Sequence, residues 1–445
     1  MSGKKIVILG AAESGVGAAI LAKKHGYDVF VSDASVIKPQ YLKMLTEKNI
    51  RFESGKHTQD EICSADEIIK SPGIPDIAPV ILSVIKKGIP VISELEFAYR
   101  FTNAKMICIT GTNGKTTTTL LTYHILKKAG FNVGLGGNIG KSFALQVAEN
   151  NYDHYVLEVS SFQLDGMFTF KADISIITNI TPDHLDRYDY NIQNYVNSKF
   201  RITQNQTGSD RFIYCADDKL TMDEIAKRKL NMQMHSFSIY KKEGMTAYLE
   251  QEQLTINLNN QFTMSIKDLA LQGKHNLYNS MASGIAARAL EIRKDSVRES
   301  FADFENIEHR LEFVNTVHGI DFINDSKATN VNSTWYALES MQKPVVWIAG
   351  GVDKGNDYTM LAELVKKHVR AIVCLGKDNS KIIEAFKGIV PDIIETQTAT
   401  DAVREAYKLG KKGDVVLMSP CCASFDLFEN YEDRGRQFKA AVRAL

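Results

Sequence analysis

The densest chemistry in this 445-residue chain lies in Ile107-Cys-Ile-Thr-Gly-Thr-Asn-Gly-Lys-Thr. Met106–Ile109 reads as a buried strand, Gly111 and Gly114 as a tight turn, and Thr116–Lys128 as a helix. In that order the backbone N–H groups of Gly111, Thr112, Asn113 and Gly114, with those opening the helix through Thr117, point at one spot and favour phosphate oxygens. Lys115 would reach terminal phosphates and the Thr116 hydroxyl would hold Mg²⁺. Gly111 and Gly114 enclose only Thr112 and Asn113, so the loop is shorter than the generic phosphate loop. Its chemistry is that of an ATP site.

Such a site needs an acid to carry magnesium. Val156-Leu-Glu-Val-Ser-Ser places Glu158 inside the apolar strand Tyr155–Val159, where a carboxylate is costly unless paired or metal-bound. An edge-strand Glu facing water is the alternative. The strand Ile174–Thr178 then runs into Asn179-Ile-Thr-Pro-Asp-His-Leu-Asp, which clusters Asp183, His184 and Asp186 at the end of a strand where α/β ligand sites form. By itself His184 fits a helix cap as well as a metal ligand, and Lys199 reads as a solvated helix lysine. Near the N-terminus, Gly10-Ala-Ala-Glu-Ser-Gly follows the strand Ile6–Leu9, and Asp33 ends the strand Val29–Ser32. With Ala12 replacing the middle glycine this is a weak dinucleotide fingerprint, open to NAD binding or to a plain strand–helix turn.

The elements that must position these residues form a βα alternation that restarts twice. At roughly 150 residues per domain the length predicts about three domains. The class expected is α/β, with a Rossmann-like domain over 1–102, a central P-loop ATPase-like parallel sheet with a small antiparallel sheet over 103–306, and a Rossmann-like domain over 307–445. The antiparallel part is read from alternating runs at Ala247, Leu254 and Phe262. A long helix is expected over about 276–291. Further strands are expected at Ile320–Ile323, Val345–Ile348, Ala371–Leu375 and Val415–Met418. Lys plus Arg and Asp plus Glu both total 53, which leaves no basic surplus for nucleic acid or anionic lipid. No apolar run approaches the ~18 residues of a membrane span, and Ile6–Leu9 is too short for a signal-peptide core. The 6 cysteines carry no CxxC pair, so free thiols in a reducing cytoplasm are expected, with Cys421 and Cys422 as packing residues.

Taken together, Thr110-Gly-Thr-Asn-Gly-Lys-Thr-Thr, Gly136-Gly-Asn-Ile-Gly, Leu157-Glu-Val-Ser-Ser-Phe-Gln-Leu, Asn179-Ile-Thr-Pro-Asp-His-Leu-Asp, His275-Asn-Leu-Tyr-Asn, His309-Arg and Asn324-Asp-Ser-Lys-Ala-Thr-Asn resemble the Mur ligase family, which also includes folylpolyglutamate synthases. Gly350-Gly-Val-Asp-Lys and Ser419-Pro-Cys-Cys-Ala-Ser-Phe-Asp extend the resemblance into the C-terminal part. It implies an ATP-dependent amide ligase of peptidoglycan precursor synthesis that joins D-glutamate to UDP-N-acetylmuramoyl-L-alanine through an acyl phosphate. The alternative is a family ligase, or a folylpolyglutamate ligase, with another amino-acid specificity.

The resemblance also implies roles. Lys115, Glu158, His184 and Lys199 would be catalytic. Thr116 and Glu158 would hold one Mg²⁺, and His184 with a CO₂-derived carbamate on Lys199 a second. Asn279 would contact adenine, Arg310 phosphate and Asp325 ribose, while Asn276 caps the helix. The uridine end of the substrate would meet Ser14, Asp33, Ala34 and Ser35, with Glu13 standing where an apolar residue is more usual. Asn138 would meet the muropeptide end, and Lys327, Thr329, Lys354, Ser424 and Tyr431 would receive D-glutamate. A monomer is expected. A nucleotide-dependent switch or a dehydrogenase would leave the second and third sets of motifs without a purpose.

Overall fold

Parallel strands buried on both faces read as unbroken apolar runs, and the apolar runs of this sequence become inner strands of three sheets. A computed structural model describes residues 3–304 and 308–445. The expected boundary at 306/307 lies outside them. The first sheet contains β1 (Lys5–Leu9), β2 (Asp28–Asp33), β3 (Arg51–Ser54), β4 (Glu67–Lys70) and β5 (Val91–Ile92), all parallel in the order β3-β2-β1-β4-β5. The order reverses between β1 and β4, and the loop after β1 opens there, where α/β folds place ligands.

The central sheet is built from β6 (Lys105–Thr110), β7 (Val133–Gly137), β8 (His154–Glu158), β9 (Ile174–Ile177), β10 (Arg211–Cys215), β11 (Gln233–Ser238), β12 (Ala247–Glu250), β13 (Gln253–Asn257) and β14 (Gln261–Ser265). Its order, β14-β13-β12-β11-β10-β9-β6-β8-β7, sets the phosphate-loop strand β6 between β8 and β9. The antiparallel meander forms as expected over β12–β14. It continues the parallel sheet through the pairs Phe237↔Ala247 and Ser238↔Tyr248 instead of standing apart.

A third sheet holds β15 (Glu312–Val317), β16 (Ile320–Asn324), β17 (Val345–Gly350), β18 (Val369–Leu375), β19 (Asp392–Thr396) and β20 (Val415–Cys421) in the order β15-β16-β20-β17-β18-β19. Only the edge strand β15 runs antiparallel to its neighbour. The helix after β1 begins at Glu13, so Ser14 lies in its first turn. The helix read as 276–291 runs Lys274–Ala289. All six cysteines are free, and Cys421 and Cys422 are buried. Among the described residues no helix is long and apolar enough to cross a membrane.

The chain divides into two compact units, one holding the first two sheets and the other the third. Two buried carboxylates explain why the first two sheets form one body. Both lie on the short helix Glu94–Tyr99 that leaves β5. Glu96 accepts from the amides of Phe168 (3.0 Å), Thr169 (3.0 Å) and Phe170 (2.9 Å), and from the Thr169 hydroxyl. Glu94 accepts from the Ser142 hydroxyl at 2.7 Å and the Ala144 amide at 2.6 Å, at the start of the helix Phe143–Glu149. Four charge-assisted bonds to one carboxylate and two to the other fix the central sheet at two separate points.

Burial pushes Glu94 up to about 7, against the Ala144 and Ser142 bonds that favour its carboxylate, and the charge of Glu13 adds to the rise. An unfolded Glu titrates near ~4.3. Below that value the proton sits on Glu94 in both states and its contribution to stability is complete. As pH rises toward 7 the unfolded chain gives up its proton first, and the contribution is lost. Glu94→Gln has no proton to lose. Its stability relative to the wild-type chain is therefore expected to rise by on the order of 2 kcal/mol between about pH 5 and about pH 8. Calorimetric melting of both chains across that range checks this, and a constant difference would refute it.

Candidate active site

The phosphate loop adopts backbone that side chains resist. Gly111 has φ 146° and Gly114 φ 81°, and a Cβ on Gly114 would stand 2.4 Å from Asn279 Oδ1. The loop apex is held from the end of β9. Asn179 accepts from the Thr112 amide through its carbonyl (2.9 Å) and from the Asn113 amide through Oδ1 (3.0 Å), and it donates Nδ2 to the Asn113 carbonyl (3.0 Å). The Thr178 hydroxyl donates to the same carbonyl at 2.6 Å. With the apex fixed, the helix Lys115–Lys128 starts at Gly114, and its first-turn amides, through the buried Thr117, have no intrahelical acceptor. These are donors suited to phosphate oxygens.

Beneath the loop, Glu158 is 2% exposed. It ends β8 and is bound on both oxygens, by the Thr116 hydroxyl at 2.6 Å and by Asn138 Nδ2 at 2.8 Å. The Asn138 amide also donates to the Glu158 carbonyl at 2.8 Å. The inward-facing reading of Glu158 holds, and with Thr116 it forms a pair of hard oxygen donors at the phosphate loop. Magnesium is bound in this way by one or two protein oxygens, with phosphates and water completing its shell. No group of three or more His, Cys, Asp or Glu residues able to hold an ion occurs among the described residues.

Lys199 is not a solvated lysine. It is 1% exposed, donates to the Gly111 carbonyl at 2.7 Å and lies 4.5 Å from the Tyr195 ring centroid. Burial, and then the charge of Lys115, hold its amine well below the ordinary lysine range. Lys115 donates to the same Gly111 carbonyl at 3.0 Å and to the Thr112 carbonyl at 2.9 Å. His184 occupies left-handed backbone (φ 52°), a costly conformation for a residue with a Cβ. Its ring packs edge-on to Phe162 at 5.3 Å and its Nε2 lies 3.8 Å from Asp183 Oδ2.

Asn279 sits buried under the loop, accepting from the Thr118 hydroxyl at 3.2 Å and donating to Asn276 Oδ1 at 3.1 Å. Asn279 Oδ1 fills the space that a Cβ on Gly114 would need. Asn276, expected to cap the helix, lies inside its first turn and donates to the Gln272 carbonyl at 2.9 Å. At the first sheet both oxygens of Asp33 are taken by the chain's own amides, Ala11 at 2.7 Å and Ser35 at 2.8 Å. Asp33 thereby shapes the loop beside Ser14, with Ala34 and Ser35 exposed at its rim.

In the C-terminal unit the expected residues gather at the C-terminal ends of β16, β17 and β20. Asp325 is buried, accepting from the Leu311 amide (3.2 Å) and the Ser419 hydroxyl (2.9 Å). Burial raises its pKa to about 6, with nearby Arg310 opposing the rise. Lys327 Nζ lies 5.2 Å from the Tyr431 ring centroid, Ser424 is buried and Lys354 is exposed. The Thr329 amide donates to the Lys327 carbonyl at 3.0 Å.

The residue that joins these loops went unread in the sequence. Arg434, 1% exposed, lies in the first turns of the helix Tyr431–Arg443. It donates to the Ser326 hydroxyl (3.0 Å) and carbonyl (2.9 Å), the Cys422 carbonyl (3.3 Å) and the Gly350 carbonyl (3.4 Å). One guanidinium thus ties the loops of Lys327, Lys354 and Ser424 together. An Arg in a helical run otherwise reads as a solvated face, so no local signal marks it.

Family models match the chain in three consecutive stretches: "Mur ligase MurD-like, N-terminal domain" over residues 4–93, "Mur ligase middle domain" over 109–287 and "Mur ligase, glutamate ligase domain" over 309–422. A UDP-N-acetylmuramoylalanine–D-glutamate ligase of Bacteroides fragilis is 58% identical over 443 residues, covering 99% of this chain and 100% of that protein. One of the same name from Christiangramia forsetii is 57% identical over 444 residues, covering 100% of both. Among solved structures, the UDP-N-acetylmuramate-alanine ligase MurC of Thermotoga maritima superposes with a TM-score of 0.64 at 19% identity, covering 99% of each chain. The MurF ligase of Thermotoga maritima in complex with ADP gives 0.61 at 15% identity, covering 94% of this chain and 95% of that one. Both likenesses concern the fold.

The 2 tryptophans, Trp335 and Trp347, both lie in the C-terminal unit, so their fluorescence reports on it alone. Arg434→Met leaves the carbonyls of Ser326, Gly350 and Cys422 without their donor. A loss of on the order of 3 kcal/mol is expected in fluorescence-monitored urea unfolding. An unchanged midpoint would show that the guanidinium does not hold the loops.

Proposed function

Because the chain belongs to the Mur ligase family, we infer that it is the ATP-dependent ligase that joins D-glutamate to UDP-N-acetylmuramoyl-L-alanine in peptidoglycan precursor synthesis. The observation that carries this reading is the end-to-end identity with relatives named for that reaction. The alanyl carboxylate takes the terminal phosphoryl group of ATP, the amine of D-glutamate attacks the acyl phosphate, and phosphate leaves as the amide forms. ATP with Mg²⁺ supplies the phosphoryl group and the neutralising charge when bound.

The chain's own residues supply position and polarity. The first-turn amides after Gly114 and the Lys115 ammonium would bind phosphate oxygens, and stabilisation of charge in phosphoryl transfer is largely of this kind. Thr116 and Glu158 would hold the ion, with Asn138 fixing the second Glu158 oxygen and so its orientation. Asn138 would at the same time face the muropeptide end of the substrate. The uridine end would lie at Ser14 and Asp33–Ser35 in the domain we take as 1–102, with the ATP-binding domain as 103–306. Lys327, Thr329, Lys354, Ser424 and Tyr431 would receive D-glutamate in the domain 307–445, the lysines meeting its carboxylates, while Arg310 and Asp325 would face the nucleotide. We take the enzyme to act in the cytoplasm, where ATP and UDP-linked precursors occur, and as a monomer.

Lys199 would act as a carbamate and, with His184, hold a second Mg²⁺. Its depressed basicity supports this. The neutral amine adds to CO₂, losing one proton and becoming an anion, and the Lys115 ammonium that shares its Gly111 acceptor is at hand to balance the charge. Lys199→Ala is expected to lose at least ~10²-fold in turnover, with part of the loss restored by formate or acetate. Failure of every short carboxylate to restore it would count against the carbamate.

Amino-acid choice is tested by supplying ATP, Mg²⁺ and UDP-N-acetylmuramoyl-L-alanine with a panel of amino acids and following phosphate release. D-glutamate is expected to give the dominant rate. A faster rate with L-lysine or another amino acid would overturn the specificity and leave the ligase chemistry standing.

A further inference from the structure

The proposed substrate touches two loops at once, its uridine end at Gly10–Ser14 and its acyl end at Asn138. These loops grow from different sheets, the first after β1 and the second after β7. A rigid two-ended ligand binds well only if their separation is already correct.

The second loop is a stiff extension of the helix Phe143–Glu149. Gln146 on that helix donates Nε2 to the carbonyls of Leu135 (2.7 Å) and Lys141 (3.1 Å), clipping the loop from both sides. Asn138 then passes the position on to Glu158. The helix itself is held by the first sheet's elements. At its N-terminal end Glu94 takes the Ser142 hydroxyl and the Ala144 amide on a single oxygen, and Glu13, one residue before Ser14, accepts from the Ser142 amide at 3.3 Å. At its C-terminal end Lys24 donates to the Ala148 carbonyl at 2.5 Å. Gly17 admits the contact between the two helices, since a Cβ there would stand 2.0 Å from Ser142 Oγ.

We propose that Glu94 is a positioning residue for the UDP-linked substrate. Through Ser142 and Ala144 it sets the separation of the uridine loop from Asn138. This rests on the substrate placement given above. The other holds differ in strength: the Glu13 bond is long, and Lys24 acts at the far end, so the two short bonds to Glu94 Oε1 dominate at the end nearest Asn138. Because both donors meet one oxygen, the carbonyl oxygen of a glutamine can accept both. Charge is dispensable for this role and shape is not.

UDP alone reaches only one loop, whereas UDP-N-acetylmuramoyl-L-alanine reaches both, and comparing the two isolates positioning from general damage. Calorimetric titration of Glu94→Ala is expected to give UDP affinity within about twofold of wild type and full-substrate affinity lower by about tenfold or more. Glu94→Gln should restore full-substrate affinity. Ser142→Ala removes one of the two donors and should weaken the full substrate by a smaller factor with UDP unchanged; it carries the test if Glu94→Ala does not fold. Full-substrate affinity unchanged in the variants, or UDP and full substrate weakened equally, would overturn the proposal. Asp33→Ala serves as the separate check on substrate placement. If it leaves UDP binding intact the uridine site is wrong, whereas UDP binding lost there with no selective effect at Glu94 refutes the positioning role alone.

Discussion

The side-chain nitrogens of Lys115 and Lys199 converge on the carbonyl oxygen of Gly111, where two ammonium charges would face each other. Like charges so close in a poorly hydrated site repel, and one carbonyl dipole offsets little of that. The chain relieves part of the conflict by keeping the Lys199 amine a weak base. The remainder is relieved by anions, which is what a triphosphate and a carboxylate substrate bring. The geometry of the loop follows from this constraint. Gly111 must expose its carbonyl inward to both lysines, and the apex must be held by something other than the ligand. Thr178 and Asn179 do so from the neighbouring strand, through bonds that involve no charge at all.

The same economy of rigid supports recurs in each sheet. The segments that follow β1, β6 and β16 are loops, and loops are soft unless tied. Asp33 satisfies two amides across the first loop, Glu158 orders Thr116 against Asn138, and Arg434 gathers three carbonyl-bearing segments. Each tie is a charged group held by at least two hydrogen bonds, and Glu158 and Arg434 are almost entirely out of water. That arrangement is expensive to break because a lost partner strands a charge.

What could be read in the sequence divides along the same line. Gly111, Lys115, Thr116 and Glu158 were legible because their meaning is local: a strand ends, a turn needs glycine, a carboxylate interrupts an apolar run. The inner strands β1, β2, β6, β8, β9, β17 and β20 were legible as apolar runs. Strands β7, with its three glycines in Val133–Gly137, and β15, an edge strand of alternating exposure, gave no such run. Glu94, Glu96 and Arg434 carried no signal, because their partners lie elsewhere in the chain: Ser142, Phe168–Phe170, and Ser326, Gly350 and Cys422. Lys199 was the sharpest case. Its helix looks solvated by composition, and only packing against Tyr195 and the loop takes its amine out of water.

The first loop shows why a fingerprint is weaker than its surroundings. Its helix N-terminus would favour an anion, yet Glu13 already puts a carboxylate in the first turn and meets part of that demand. The Glu13 side chain turns toward Tyr41 and the Ser142 amide. Asp33, the residue that in a dinucleotide site would be offered to a ribose, is occupied by the loop's own backbone. A loop so arranged has little spare attraction for a free pyrophosphate. It is suited to a ligand whose affinity is shared with a second anchor, and hydrogen bonds lead from it through Ser142 toward the loop of Asn138 and on to Glu158. The weak fingerprint and the close tie between the first two sheets are therefore two aspects of one arrangement: Glu13 and Asp33 are engaged by the chain itself, and the loop they shape is joined to the central sheet through Ser142.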